Sequence, residues 1–409
     1  MCKIKIVDSI PGSGKTSAII NMINNDTTNN KYIYITPFLT EVERVKKNCK
    51  NRKFQEPKYN QYGNKFDNLN KLISEGKNIV STHALFHKAN MQTVELLKSN
   101  DYILILDEVF NVIEQCNISK NDVQMLINDG YAKLENDYLV WNEDKQYTGA
   151  FENIKYLAIN RSIIVYKDVI LIWMFPVEIF KAFKDSYILT YLFEAQEQCY
   201  YYKMNNIEYE YYYAMLKDDT YTIKLKDNNY KNIEISIKNK LKDNINIIQD
   251  DKLNAIGYDV YNLSHSWFRN ELNKENVKQL KSNITNFFIN KIKAKSNTVL
   301  WTTFKDQQSK LKGKGYTKGF IACNLRATND YVERYNLAYC INIFNQPFID
   351  QFFKSKDIII NQELYALSEL IQWLWRSRIR RYEPINIYIP SRRMRNLLIL
   401  WLDNSNLIE

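Results

Sequence analysis

"SIPGSGKT", residues 9–16, decides how the rest of the chain is read. Two of only ten glycines in 409 residues fall here, at 12 and 14, and a lysine and a threonine follow at once. Glycine lets consecutive backbone N–H groups turn inward around an anion. The start of a following helix adds partial positive charge. Residues 3–8 (KIKIVD) read as a short strand and "TSAIINMI" as a helix. Strand, glycine loop, helix is the context in which this pattern cradles nucleotide phosphates. Ser9 fills the small first position, and Gly12, Ser13 and Gly14 supply backbone donors. Lys15 is placed for the β and γ phosphates and Thr16 for Mg²⁺.

Such a site needs an acidic partner at the end of a buried strand. "YILILDEVF" (102–110) supplies it, apolar from 102 to 106 as a strand covered on both faces should be. Asp107 is expected to bind Mg²⁺, and Glu108 to orient or deprotonate the attacking water. Between the two sites, "KYIYITP" (31–37) and "NIVST" (78–82) read as strands. "TEVERVKKNCK" (40–50, with Thr40 as cap) and "NLNKLISEG" (68–76) read as helices. "DVILIWMFP" (168–176) and "SYILTYLF" (186–193) read as further strands of the same alternating sheet.

Near residue 197 the texture changes. The run from 199 to 240 is rich in tyrosine and strand-like, and reads as an antiparallel insertion reaching about 275. A helix over 275–295 then opens a second α/β run, containing "NTVLWTTF" (297–304), "YTKGFIACNL" (316–325), the helix 364–381 and the strand 385–390.

These segments resemble superfamily 2 helicases over most of the chain outside 197–275. "IPGSGKT" and "LDEV" look like motifs I and II. The resemblance implies two RecA-like P-loop NTPase lobes, 1–195 and 276–409, in an α/β chain with a tyrosine-rich, partly β segment (196–275) between them. "YITPFLTEVERV" looks like motif Ia, implying nucleic-acid contacts at Thr36 and Pro37. "VSTHALF" looks like a further motif of that face, with Ser81 and Thr82. His83 reads equally as a backbone contact or an ordinary helix-start histidine. "LTYLF" sits at motif III, where only Thr190 matches. "VLWTTFKD" resembles motif IV. "CNLRATNDY" resembles motif V, with Arg326, Thr328 and Asn329 at nucleic acid. "QWLWRSRIRR" resembles motif VI, with Gln372 at the nucleotide and Arg376 and Arg380 as its arginine fingers, one helical turn apart. Arg378 is the runner-up.

Charge fits this picture. The chain carries a formal +10, as a partner of nucleic acid would, although a Lys- and Asn-rich composition also accompanies an AT-rich genome. Seven of its 13 arginines lie between 376 and 395. Lysines and Tyr316 in "SKLKGKGYTKG" (309–319) read either as a DNA-contacting loop or as a solvated one. "SRRMRNLL" (391–398) reads as structural or DNA-touching. The six cysteines are scattered without metal-ligand spacing. Neither a signal peptide nor a membrane-length apolar run is seen, so a cytoplasmic location and no membrane partner are expected.

The expected activity is nucleic-acid-stimulated ATP hydrolysis with Mg²⁺, driving a motor on single-stranded or forked DNA, with RNA left open. Composition and size resemble a bacteriophage or mobile-element replication or recombination helicase, which implies other replication proteins as partners. Eight residues before Ser9 leave no room for a glutamine-centred adenine-reading motif, so other NTPs are expected to serve nearly as well. Two alternatives stand beside this: a terminase-like packaging ATPase, and a nucleic-acid-binding protein that uses ATP as a switch.

Overall fold

The computed structural model describes residues 3–59, 63–167, 170–323 and 330–405. These residues group into two units. The first takes in residues up to 9, 14–225 and 351–358, and the second takes in 10–13, 226–350 and 359 onward.

In the first unit, the strands β1 (Ile4–Asp8), β2 (Lys31–Thr36), β3 (Phe54–Gln55), β4 (Asn78–Thr82) and β5 (Tyr102–Asp107) alternate with helices. Five further strands form a separate antiparallel sheet: β6 (Ile113–Gln115), β7 (Ala132–Glu135), β8 (Tyr138–Trp141), β9 (Ile163–Tyr166) and β10 (Ile170–Met174). The chain then returns to the first sheet with β11 (Asp185–Thr190), β12 (Tyr209–Lys217) and β13 (Thr220–Leu225). That sheet is ordered β13-β12-β1-β11-β5-β2-β4-β3. From β12 to β3 its neighbours run parallel, and only the edge strand β13 is antiparallel.

Because β1, β11, β5, β2 and β4 run the same way, Asp8, Thr190, Asp107, Thr36 and Thr82 end along one edge. The pairs Asp8–Thr190, Leu189–Asp107 and Thr36–Thr82 are in register. That edge is where open α/β sheets place their ligands. The helix α1 (Lys15–Asn25) buries Ala18, Ile19, Ile20 and Ile23 against Val7, Tyr34 and Ala214. Apolar positions at i, i+1 and i+4 make one face of that helix continuous with the sheet core.

Several expectations are corrected. Thr40 does not cap its helix. α2 (Leu39–Asn48) starts one residue earlier, behind Phe38, which makes no side-chain cap bond. Residues 170–174 belong to the antiparallel sheet, not the parallel one. A strand apolar on both faces looks alike in either sheet when a second layer covers it; here Leu171 packs with Trp141, Leu126 and Ala158. In the tyrosine-rich stretch, residues 197–204 and 228–244 are helical. The alternation in "KNIEISIK" is therefore not a strand period.

The second unit holds a four-stranded parallel sheet ordered β14 (Ile245–Ile247), β17 (Ile385–Tyr388), β16 (Asn336–Tyr339), β15 (Val299–Thr302). Its core joins Trp301, Ala338 and Tyr388 of the sheet to Leu280, Ile284, Phe287 and Phe288. The helix expected over 364–381 stops at Leu374. Ser377 is extended, and its hydroxyl accepts from Ile379 N, starting a separate short turn over 378–381. No helix among the described residues is long and apolar enough to cross a membrane.

Candidate nucleotide site

The loop after β1 depends on two left-handed residues, Gly12 at φ 84° and Gly14 at φ 83°. A side chain at either would be strained, so glycine is required twice. Gly14 is the N-cap of α1, with no side chain to occupy the first N–H groups. Those donors point where a phosphate would sit. Lys15 Nζ donates to the Ser9 carbonyl at 2.6 Å, which lays the ammonium along the loop. Ser9 is itself buried, and its hydroxyl accepts from Ala214 N on β12 at 2.9 Å.

At the end of β5, Asp107 meets the loop. Thr16 Oγ1 donates to Asp107 Oδ2 at 3.4 Å, and Tyr34 donates to the same oxygen at 3.0 Å. Burial, with Glu108 adjacent, pushes the Asp107 carboxyl up to about 7, against the pull of the Tyr34 hydrogen bond and of Lys15. Glu108 follows in the left-handed region at φ 66°, uncommon for a non-glycine residue, and its N–H is tied to Leu189 O at 2.9 Å. A residue held this way costs on the order of 1–3 kcal/mol and persists only where neighbours enforce it.

The donor set suits Mg²⁺. That ion prefers oxygen ligands and is commonly held by one or two carboxylates together with phosphates and waters. Thr16 and Asp107 would be the protein's share. No group of three or more His, Cys, Asp or Glu side chains able to hold a metal occurs among the described residues.

His83 braces the acidic pair, and Asp8 braces the neighbouring turn after β11. His83 Nε2 lies 3.0 Å from the Asp107 carbonyl. A carbonyl only accepts, so that nitrogen carries the proton. Asp8 accepts from Leu192 N at 2.9 Å and Phe193 N at 3.5 Å, holding the turn after Thr190, where Leu192 is left-handed at φ 54°.

Thr36 and Ser81 are buried, and their hydroxyls have no hydrogen-bond partner among the described residues. The Thr82 hydroxyl caps the helix His83–Phe86 through Leu85 N, and Pro37 is part-exposed. Of the four residues expected at nucleic acid here, Pro37 and Thr82 are part-exposed and Thr36 and Ser81 are not.

In the second unit, Gln372 is part-buried and donates to Ser368 Oγ at 3.5 Å. Arg376 is 5% exposed, and its guanidinium donates to Ala322 O at 3.3 Å. Arg380 is exposed. The two do not share a helical face, because the helix ends at Leu374, before both, and Arg380 lies in the separate turn over 378–381. Arg378 covers the Tyr335 ring at 4.2 Å and pairs with Glu383. Tyr316 is not available to a base: it is buried, its hydroxyl donates to Leu311 O at 2.6 Å, and its ring meets Phe288 and Trp301. Arg326, Thr328 and Asn329 lie outside the described residues.

Sequence reading missed Tyr34 and the bracing role of His83. A strand tyrosine reads as core, and only its register beside β5 reveals the hydroxyl's partner.

Two family models match the chain: the YonV middle domain over residues 113–173, and the YonV C-terminal Rossmann-like domain over 239–402. The first covers nearly all of the antiparallel sheet β6–β10, and the second covers all four strands of the second unit. The SPbeta prophage-derived uncharacterized protein YonV of Bacillus subtilis (strain 168) is 47% identical over 99% of this chain and 100% of its own length. Among solved structures, the DUF1998 helicase MrfA bound to DNA and AMPPNP overlaps at TM-score 0.35 and 10% identity, over 98% of this chain. The chain spans about half of MrfA's length, 48%. Xpd4 of S. tokodaii overlaps at TM-score 0.37 and 12% identity, over 99% of this chain and 95% of its own.

Proposed function

We propose that the chain, which belongs to the YonV family, is a Mg²⁺-dependent NTP hydrolase that works as a helicase or translocase on nucleic acid. The observation that carries the reading is the convergence of Thr16, Asp107 and Glu108 beside a loop that needs glycine at 12 and 14. Each of these residues has a place in phosphoryl transfer. Backbone donors of the loop and Lys15 bind the β and γ phosphates. Glu108 accepts a proton from water as its oxygen bonds to the γ-phosphorus. The bond to the β–γ bridging oxygen breaks, and the diphosphate leaves with its electron pair. A bound Mg²⁺ would neutralise charge on the phosphate oxygens.

The motor part of the proposal rests on the motif order and on the net charge of +10. The parallel sheet of the second unit supports a second RecA-like lobe; the two lobes are proposed as 1–195 and 276–409, with β12 and β13 adding to the sheet of the first and β14 to that of the second. Arg376 and Arg380 are proposed to take part in hydrolysis. Single-stranded or forked DNA is the proposed track, in prophage replication or recombination.

The test is hydrolysis of ATP with and without single-stranded DNA, for wild type, Lys15→Ala and Arg376→Ala. Wild type is expected to hydrolyse ATP and to speed up on DNA. Lys15→Ala is expected to lose roughly 10²-fold or more, as when one preorganised charge donor is removed. No hydrolysis sinks the enzyme reading. Hydrolysis indifferent to DNA and RNA sinks the motor.

A further inference from the structure

We propose that Tyr221 is the platform on which the nucleoside of the substrate stacks. This rests on the reading of residues 9–16 as a nucleotide phosphate site. Tyr221 stands on the edge strand β13, and its ring is seated on Gly14, the residue that opens α1. A methyl group at Gly14 would overlap ring carbons Cδ1 and Cε1 and lie 2.8 Å from Cζ. The phosphate loop and this aromatic ring are thus in direct contact.

The contact is built in rather than incidental. β12 pairs in parallel with β1, the strand that feeds the loop, through Ile4–Tyr209 to Val7–Tyr212. β13 pairs back on β12, with Tyr221 opposite Leu216. Asn21, inside α1, donates to the Tyr221 carbonyl at 3.2 Å. Strand pairing and helix therefore both fix the ring beside the helix N-terminus. The ring is only partly buried, and it packs with the cluster that contains Ala18 and Ile19.

A nucleotide whose phosphates lie in the loop must carry its ribose and base out past this N-terminus. An aromatic face there gains stacking without reading base edges, since every base has a π-face. Tyr221 would then contribute affinity for nucleosides as a class, and purine NTPs would be used alike. The ligand class is a nucleoside triphosphate of relaxed base identity.

The test compares Tyr221→Ala and Tyr221→Phe with wild type, measuring KM for ATP and GTP and the inhibition constant of inorganic tripolyphosphate. Loss of a stacked base typically corresponds to roughly 5- to 150-fold in affinity. KM for both nucleotides is expected to rise within that range in Tyr221→Ala and to stay near wild type in Tyr221→Phe. Inhibition by tripolyphosphate, which has no base, is expected to be unchanged in both. An unchanged KM in Tyr221→Ala overturns the proposal. So does a tripolyphosphate constant that rises in step with KM, since the loop itself would then have moved. A wild type that hydrolyses no NTP overturns the phosphate-site reading, and this inference with it.

Discussion

The Tyr34 hydroxyl donates at 3.0 Å to Asp107 Oδ2, the oxygen that Thr16 also approaches. Tyr34 is fully buried on β2, so its ring is locked by the core while its one polar atom serves the acidic pair. Removing that atom alone, in Tyr34→Phe, keeps the packing and frees the carboxylate to rotate. Outer partners of metal ligands typically matter by about 10-fold or more in metal affinity. The Mg²⁺ concentration for half-maximal hydrolysis is expected to rise roughly 10-fold. KM for the nucleotide at saturating Mg²⁺ is expected to change little. A metal titration checks this, and an unshifted midpoint refutes it.

His83 acts on the same pair from the backbone side. Its Nε2–H holds the Asp107 carbonyl, one peptide before the left-handed Glu108. His83→Ala leaves that carbonyl unpaired and loosens the turn that aims Glu108. Turnover is expected to fall about 10-fold, the lower range for mispositioned catalytic groups. His83→Gln, which keeps an N–H donor of similar reach, should recover most of the rate. Equal loss in both variants would assign the histidine a different role.

Legibility divided along physical lines. The phosphate loop and β5 were readable because glycine at forced backbone angles and an unbroken apolar run ending in Asp-Glu each have few other causes. The antiparallel sheet was not, because Ile163–Tyr166 and Ile170–Met174 are as apolar as parallel strands and the pairing partner is not written locally. The helix Asn228–Asn244 was hidden by alternation, since it buries only Tyr230 and Leu241 and so lacks a strong apolar stripe. The place of Asp107 at the end of β5 was legible, whereas the contacts of Tyr34 with Asp107 and of Tyr221 with Gly14 were not. Those contacts join residues 73 and 207 positions apart in the chain.

Asp26 ends α1 and gathers an unusual number of donors. It accepts from Thr28 N at 2.8 Å, Thr28 Oγ1 at 2.7 Å, Tyr32 OH at 2.6 Å and Asn30 Nδ2 at 3.2 Å, and pairs with Arg52 at 3.2 Å. Burial alone would raise its carboxyl. The bonds from Thr28 and Tyr32 outweigh that and hold it well below its ordinary 3.8. A carboxyl depressed in the folded state stabilises above its unfolded value, and that stability is lost as pH falls below it. Asp26→Asn is expected to cost about 2 kcal/mol at neutral pH in urea unfolding. The gap to wild type should narrow as pH drops from about 5 to about 3. A gap independent of pH would show that the charge is not what the donors recognise.

The arginines at the start of the last helix, Arg392–Leu402, separate into two kinds. The Arg393 side chain is 8% exposed. It bonds Glu363 at 2.8 and 3.1 Å, Asn342 Oδ1 at 2.9 Å, Ile343 O at 2.8 Å and Gln362 O at 3.0 Å. Its guanidinium lies over the Phe344 ring at 4.2 Å. Lysine has neither the fork nor the plane to replace it. Arg393→Lys is expected to cost about 2–3 kcal/mol of stability, measured by thermal or urea unfolding. The salt dependence of DNA binding by the folded fraction should not change. Arg392 is exposed, over the Tyr258 ring at 4.4 Å. If it meets a phosphate, Arg392→Ala leaves stability within about 0.5 kcal/mol and lowers the slope of log affinity against log salt by about one unit. An Arg393→Lys protein of wild-type stability would remove the distinction between the two.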